Sequence, residues 1–135
     1  MFRKLDDQVS VAGQITPDDV AEAARQGFAA IVNNRPDGEQ PGQPDGEEIA
    51  AAAAAAGLAY HAIPVDHSGL REDQIEAMRA ALTGAPGPLL AFCRSGTRST
   101  YLWALARSRM GDTAETILSR AGSAGYDLAP LRGAL

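Results

Sequence analysis

The sequence predicts an α/β domain with a largely parallel sheet. Three observations carry this. Short apolar runs alternate with amphipathic stretches along the whole chain, the order expected of strands joined by crossover helices. The runs at 28–32 and 89–92 are apolar almost throughout, as in strands buried on both faces. Capping and breaking residues bracket the amphipathic stretches, so each reads as a separate helix.

Residues 8–12 alternate weakly and stop at Gly13, which predicts a short strand. Thr16-Pro17-Asp18-Asp19 opens a helix with a capping hydroxyl, a proline suited to the first turn and acids at the positive end of the dipole. Val20, Ala23 and Ala24 form its inner face, and Gly27 ends it. The strand at 28–32 empties into a polar, Pro- and Gly-rich loop that runs to Pro44. Asp45, with Glu48 three residues on, predicts the cap of the next helix. The alanine run at 50–56 favours a helix and lets it lie close to a sheet; Gly57 stops it. Residues 58–65 predict a third strand, which Pro64 cuts short. After Asp66-His67-Ser68-Gly69 a helix is expected over 71–83, with Ile75, Met78 and Leu82 on one side. The strand at 89–92 follows, and Ser99 opens an amphipathic helix through Tyr101, Leu102, Leu105 and Ala106. Asp112 then caps a helix with Glu115 in its first turn, and Asp127 starts a short last one. No repeat or linker divides the chain, so one domain is expected over 1–135.

Aromatic residues make up only 5% of the chain, so the core must be aliphatic and alanine-rich. A net charge of −5 argues against nucleic acid and anionic membranes as partners. Any anion site must therefore be built locally. The single cysteine excludes an internal disulfide and an internal resolving thiol. His61 and His67 match no common ligand spacing, so neither a metal nor another cofactor is expected. The first residues lack the apolar core of a signal peptide, and no run is long enough to span a bilayer, which predicts a cytoplasmic protein.

The chemistry concentrates at Leu89-Leu90-Ala91-Phe92-Cys93-Arg94-Ser95-Gly96-Thr97-Arg98-Ser99. A strand, a tight loop and a helix start together make an anion pocket. Loop N–H groups can turn inward, and the helix N-terminus adds partial positive charge. Arg98 offers a planar fork of donors to a tetrahedral oxyanion. A cysteine in that field is expected to ionise readily and attack as a thiolate. In such sheets ligands bind beyond the carboxyl ends of the strands. Three loops leave those ends, at Asn34-Arg35, Asp66-His67 and Cys93–Arg98, and can share one pocket. Arg94, Ser95, Gly96, Thr97, Ser99 and Arg35 are the candidate anion ligands around Cys93. Plainer roles are also open: Arg94 and Arg35 as solvated charges, Ser99 as a helix cap, Asp66 as a turn residue.

Phe92-Cys93-Arg94-Ser95-Gly96-Thr97-Arg98-Ser99 resembles the active-site loop of rhodaneses, which carry sulfur as a cysteine persulfide. The stretches Ile31-Val32-Asn33-Asn34-Arg35-Pro36-Asp37-Gly38-Glu39, Ile63-Pro64-Val65-Asp66 and Gly125-Tyr126-Asp127-Leu128 are similar to another bacterial family. That family is the phosphatase-like domain of beta-lactamase hydrolase-like proteins, also labelled sulfurtransferases. The resemblance covers nearly the whole chain. It implies the fold of protein-tyrosine and dual-specificity phosphatases, a mostly parallel central sheet flanked by helices. It also implies a place beside a persulfide dioxygenase or another enzyme of sulfide oxidation. One departure stands out. Protein phosphatases place five residues between cysteine and arginine, whereas Cys93 and Arg98 have four between them. In rhodanese-like folds the shorter loop goes with sulfur transfer, because a tighter ring of N–H groups suits a persulfide sulfur.

The resemblance thus implies sulfur transfer. Cys93 takes sulfane sulfur from thiosulfate or a persulfide while Arg98 holds the anionic end, and a thiol, cyanide or sulfite receives it. The alternative is a dual-specificity phosphatase with Asp66 as general acid and Ser99 bonded to the thiolate. A third class is a binding module that holds an oxyanion, or carries sulfur, without turnover.

Overall fold

The computed structural model describes residues 2–135. Five strands form one sheet: β1 (Arg3–Lys4), β2 (Val9–Ala12), β3 (Ala30–Asn33), β4 (Ala59–Ala62) and β5 (Leu89–Phe92). Their spatial order is β1-β2-β5-β3-β4. All pairs are parallel except β1 with β2. The strands of the expected α/β sheet are thus present, with β1 as an additional edge that two polar residues did not announce. The register sets Ala12, Phe92 and Asn33 side by side at the last rung. The loops that follow β2, β5 and β3 therefore leave the sheet at one level.

Strand side chains alternate between two cores. Val9, Val11, Ala30, Val32, Leu89 and Ala91 face one. Ala12, Ile31, Leu90 and Phe92 face the other. Helices α1 (Pro17–Arg25) and α2 (Gly46–Ala56) cover the second core, and α3 (Glu72–Gly84), α4 (Thr97–Arg109) and α5 (Ala114–Ser123) cover the first. Burial on both faces explains why β3 and β5 read as continuous apolar runs. No helix of the described residues is long and apolar enough to cross a membrane.

The caps show where local pattern succeeds and fails. Thr16 and Asp19 form the expected reciprocal box: Thr16 Oγ1 accepts from the Asp19 amide at 3.2 Å, and Asp19 Oδ2 from the Thr16 amide at 2.9 Å. Asp45 sits at the N-cap of α2 but makes no capping bond. Asp37 Oδ1 accepts the Gly46 N–H at 2.8 Å instead, because the preceding loop folds back over the helix end. Thr113, not Asp112, caps α5. Asp112 is held by Arg107, at 2.9 and 3.0 Å. Asp127 Oδ1 accepts the Ala129 N–H at 2.9 Å, and the last turn is a 3-10 helix, Ala129–Ala134. The third strand is shorter than expected. Its regular pairing spans Ala59–Ala62, and two further bonds, Ile63 N–H to Asn33 O at 2.9 Å and Val65 N–H to Asn34 O at 3.0 Å, flank Pro64.

The helix after β5 begins at Thr97, two residues before Ser99, and its middle is buried on every side rather than amphipathic. Leu102, Trp103, Ala104, Leu105 and Ala106 cover more than a full turn and are all buried, since α3 and α5 flank it. Asp6 anchors this central helix to the sheet. Its Oδ1 accepts the amides of Gln8 at 2.9 Å and Val9 at 2.6 Å, and its Oδ2 accepts the Trp103 indole N–H at 3.0 Å. Asp6→Ala leaves that buried donor without an acceptor, at a cost of about 2–3 kcal/mol. Urea denaturation should show the loss; an unchanged unfolding midpoint would rule the anchor out.

Candidate active site

The site grows out of the last rung of the sheet. The Cys93 amide, just past β5, donates to Ala12 O at 3.3 Å, so β2 fixes the start of the loop. Gly96 is the N-cap of α4 and has φ of 90°, a region that side chains avoid. A Cβ there would also overlap the Tyr126 hydroxyl. This conformation turns the Gly96 N–H toward Cys93, whose Sγ accepts it at 3.1 Å. The amides of Thr97, Arg98 and Ser99, the first turn of α4, reach no acceptor among the described residues. Free donors and the positive end of a buried helix thus stand beside the sulfur.

Arg98 lies in that first turn, and its guanidinium is gripped from outside. Nη1 donates to Glu39 Oε2 at 2.7 Å and to Val65 O at 2.7 Å, and Nη2 donates to Glu39 Oε1 at 2.9 Å. The Nε–H and one Nη2–H remain, side by side, as a free fork. Glu39 draws the Arg98 guanidinium further into its charged form, and the Cys93 sulfur adds to this.

Arg35 acts through Glu39. Its side chain is 3% exposed. Nε donates to Glu39 Oε1 at 2.9 Å, Nη1 to Gln14 Oε1 at 3.0 Å and Nη2 to Gln40 Oε1 at 3.1 Å. Expected as an anion ligand, Arg35 stands here as a brace for Glu39, buried and with three of its five N–H donors on Glu39, Gln14 and Gln40. A cavity of about 120 Å³ beside it is bounded by Asn33, Pro36, Tyr60 and Pro64, and by none of residues 93–98. Two arginines on one carboxylate hold Glu39 down at about 2, Arg98 contributing most.

The loops after β3, β4 and β5 converge. Asn34 N–H donates to Phe92 O at 2.8 Å, and Val65 N–H donates to Asn34 O at 3.0 Å. Ser99, expected to cap the helix or bond the thiolate, does neither. Asn34 Nδ2 donates to Ile63 O at 2.9 Å, which orients the amide, so Asn34 Oδ1 must accept the Ser99 hydroxyl at 2.8 Å. Asp66 follows the carbonyl that holds Arg98, yet it is exposed and turned aside. Its Oδ1 accepts Ser68 Oγ at 2.6 Å and the Ser68 N–H at 2.9 Å. These bonds, the hydroxyl first, hold its carboxyl below the usual range. Arg94 and Ser95 are exposed on the loop, and Ser95 Oγ lies 3.1 Å from Thr97 Oγ1. Among the described residues no group of three His, Cys, Asp or Glu side chains could hold a metal ion.

Sequence reasoning left Glu39, Gln14 and Tyr126 out of the site. Glu39 stands within the resembling stretch, but only a folded loop brings it 59 positions away to Arg98. Tyr126 also stands within a resembling stretch, Gly125–Leu128, but only the fold brings it to the cysteine loop, 31 positions upstream.

Residues 1–110 match the family described as beta-lactamase hydrolase-like protein, phosphatase-like domain. A beta-lactamase hydrolase-like protein of Xylella fastidiosa is 37% identical over 125 residues, 92% of this chain but 29% of that protein. The chain thus spans under a third of this relative's length. A candidate phosphatase of Neisseria meningitidis superposes with a TM-score of 0.84 at 34% identity, covering 98% of this chain and 94% of that one. The phosphotyrosine complex of TpbA from P. aeruginosa superposes with a TM-score of 0.65 at 16% identity, covering 96% and 76%, and shares the fold.

The depressed Glu39 carboxyl makes a pH prediction. Its folded value of about 2 lies below the ordinary 4.5, so its stabilisation is complete above about pH 5 and fades as pH falls toward 2. Glu39→Gln lacks this contribution. The gap in thermal midpoint between wild type and Glu39→Gln should therefore be widest above pH 5 and close toward pH 2. A gap that stays constant over that range would show that the two ion pairs do not set it.

Proposed function

The chain belongs to the family of phosphatase-like domains of beta-lactamase hydrolase-like proteins, and from its site we propose that it transfers sulfane sulfur through Cys93. The observation that carries this reading is the state of the carboxyls near the loop. Glu39 is bonded by both Arg98 and Arg35, and Asp66 accepts the Ser68 hydroxyl and amide, so neither carboxyl presents a proton to the loop. A site without a protonated acid suits a leaving group that departs as an anion. Sulfite is such a group; an alkoxide released from a phosphate ester is not.

In this reaction the Cys93 thiolate attacks the outer sulfur of thiosulfate. The new sulfur–sulfur bond forms as the old one breaks, and its electron pair leaves on sulfite. The free Arg98 fork and the amides of Thr97, Arg98 and Ser99 receive the anionic end. The product, a Cys93 persulfide anion, keeps the Gly96 N–H on its inner sulfur. An outside thiol, cyanide or sulfite then takes the outer sulfur and regenerates the thiolate. The chain has no second cysteine to do this. The four-residue spacing from Cys93 to Arg98 supports the same choice, since it narrows the ring around the sulfur.

The comparisons favour a second reading, a cysteine-dependent phosphatase, since the family is phosphatase-like and the fold is shared with tyrosine phosphatases. It requires Asp66 to leave the Ser68 turn, take up a proton and face the leaving oxygen. A persulfide dioxygenase as partner goes with the first reading.

Paired assays separate the two. Thiosulfate should add one sulfur atom to Cys93 by mass spectrometry, and thiocyanate should form from thiosulfate and cyanide. Both should vanish in Cys93→Ser and persist in Asp66→Asn. Release of p-nitrophenol from its phosphate that depends on Cys93 and falls at least tenfold in Asp66→Asn, with no thiocyanate formed, would establish the phosphatase instead.

A further inference from the structure

The peptide unit between Ser95 and Gly96 is held at both ends. Its N–H donates to Cys93 Sγ at 3.1 Å, and its carbonyl accepts the Tyr126 hydroxyl at 3.1 Å. Gly96 lacks a side chain to oppose rotation of this plane, and its φ of 90° lies where glycine moves freely. Rotation by half a turn would aim the Ser95 carbonyl oxygen at the sulfur and remove the donor. We propose that Tyr126 is a positioning residue that clamps this peptide with its N–H facing Cys93. The clamp rests on Cys93 being the nucleophile and holds for either acceptor chemistry, sulfur or phosphorus.

Tyr126 is itself fixed from two sides. Its amide donates to Ala121 O at 2.9 Å, at the end of α5. The Arg3 guanidinium from β1 lies 5.6 Å from the ring centroid, and Arg3 Nη1 donates to Ala124 O at 3.1 Å. The short edge strand thus braces the tyrosine whose hydroxyl fills the space a Gly96 Cβ would need. Burial, with a lesser push from Cys93, raises the Tyr126 phenol above its ordinary value, although Arg3 opposes this. The phenol therefore keeps the proton that the bond to Ser95 requires. Tyr126 lies beyond the residues that the family model matches, 1–110, in the resembling stretch Gly125–Leu128.

Tyr126→Phe keeps the ring under Arg3 and removes only the hydroxyl. In ¹H–¹⁵N spectra of the whole chain, the Gly96 amide should shift, and its hydrogen exchange should speed by about three- to tenfold, the effect of one lost hydrogen bond. Amides of Val11 and Leu90, inside the sheet, should stay as in wild type and report intact folding. Turnover with thiosulfate and cyanide should fall by a similar factor in kcat with KM little changed. Arg3→Ala, which frees the ring from outside, should move Gly96 in the same direction by less. An unchanged Gly96 resonance and exchange rate in Tyr126→Phe would overturn the clamp. A shifted Gly96 in a protein whose wild type forms no thiocyanate would uphold the clamp and reject the sulfur-transfer reading.

Discussion

A carboxylate shared by two arginines holds the site together. Glu39 bonds Arg98 on one side and Arg35 on the other. It joins the loop after β3 to the helix after β5, and the Val65 carbonyl brings in the loop after β4. The arrangement matters because charges this close to the interior are stable only when paired. Arg98 alone would carry an unpaired charge over a buried sulfur. With Glu39 behind it, the guanidinium is neutralised on its outer edge and presents donors on the inner one. Arg35 in turn keeps Glu39 ionised and in place, and Gln14 and Gln40 each engage one of the four donors of Arg35 that Glu39 leaves.

The same logic explains what could be read from the sequence. β3 and β5 were legible because both faces of each are buried, so composition alone marks them. The α1 cap was legible because its partners lie three residues apart. The cysteine loop was legible because strand, glycine, arginine and helix follow one another without interruption. What failed was long-range. The N–H at the start of α2 goes to Asp37, nine residues upstream, while the local candidate Asp45 makes no cap bond. Ser99 looked like a cap or a thiolate partner until Asn34, 65 positions away, was seen to take its proton. Arg35 reads as an anion ligand because nothing in the sequence says that its own loop folds Glu39 and Gln40 back onto it, with Gln14 added from 21 positions upstream. Local pattern predicts which groups lie near the sulfur; only the fold decides which of their donors remain free.

Fold and chemistry separate at this point. The sheet and its helix layers form the phosphatase-like architecture, on which the Neisseria meningitidis structure superposes with a TM-score of 0.84. A fold positions a nucleophile and an oxyanion hole, and it does not choose the atom attacked. That choice lies with the size of the ring and with the protons within reach. Between Cys93 and Arg98 the chain turns in four residues, with Gly96 in a left-handed conformation and a tyrosine hydroxyl where a Cβ would be.

Protons supply the last step. Asn34 donates its amide to the Ile63 carbonyl, and this leaves its oxygen for Ser99. Ser99 can then accept but no longer donate toward the sulfur. Tyr126 gives its hydrogen to Ser95, and Asp66 takes hydrogens from Ser68 instead of holding one. The donors left over around Cys93 include the amides of Thr97, Arg98 and Ser99 and two N–H groups of Arg98, which stabilise negative charge without giving up a proton. Such a shell stabilises negative charge on whatever anion it binds, and a leaving group that also needs a proton would depend on Asp66 leaving its turn with Ser68.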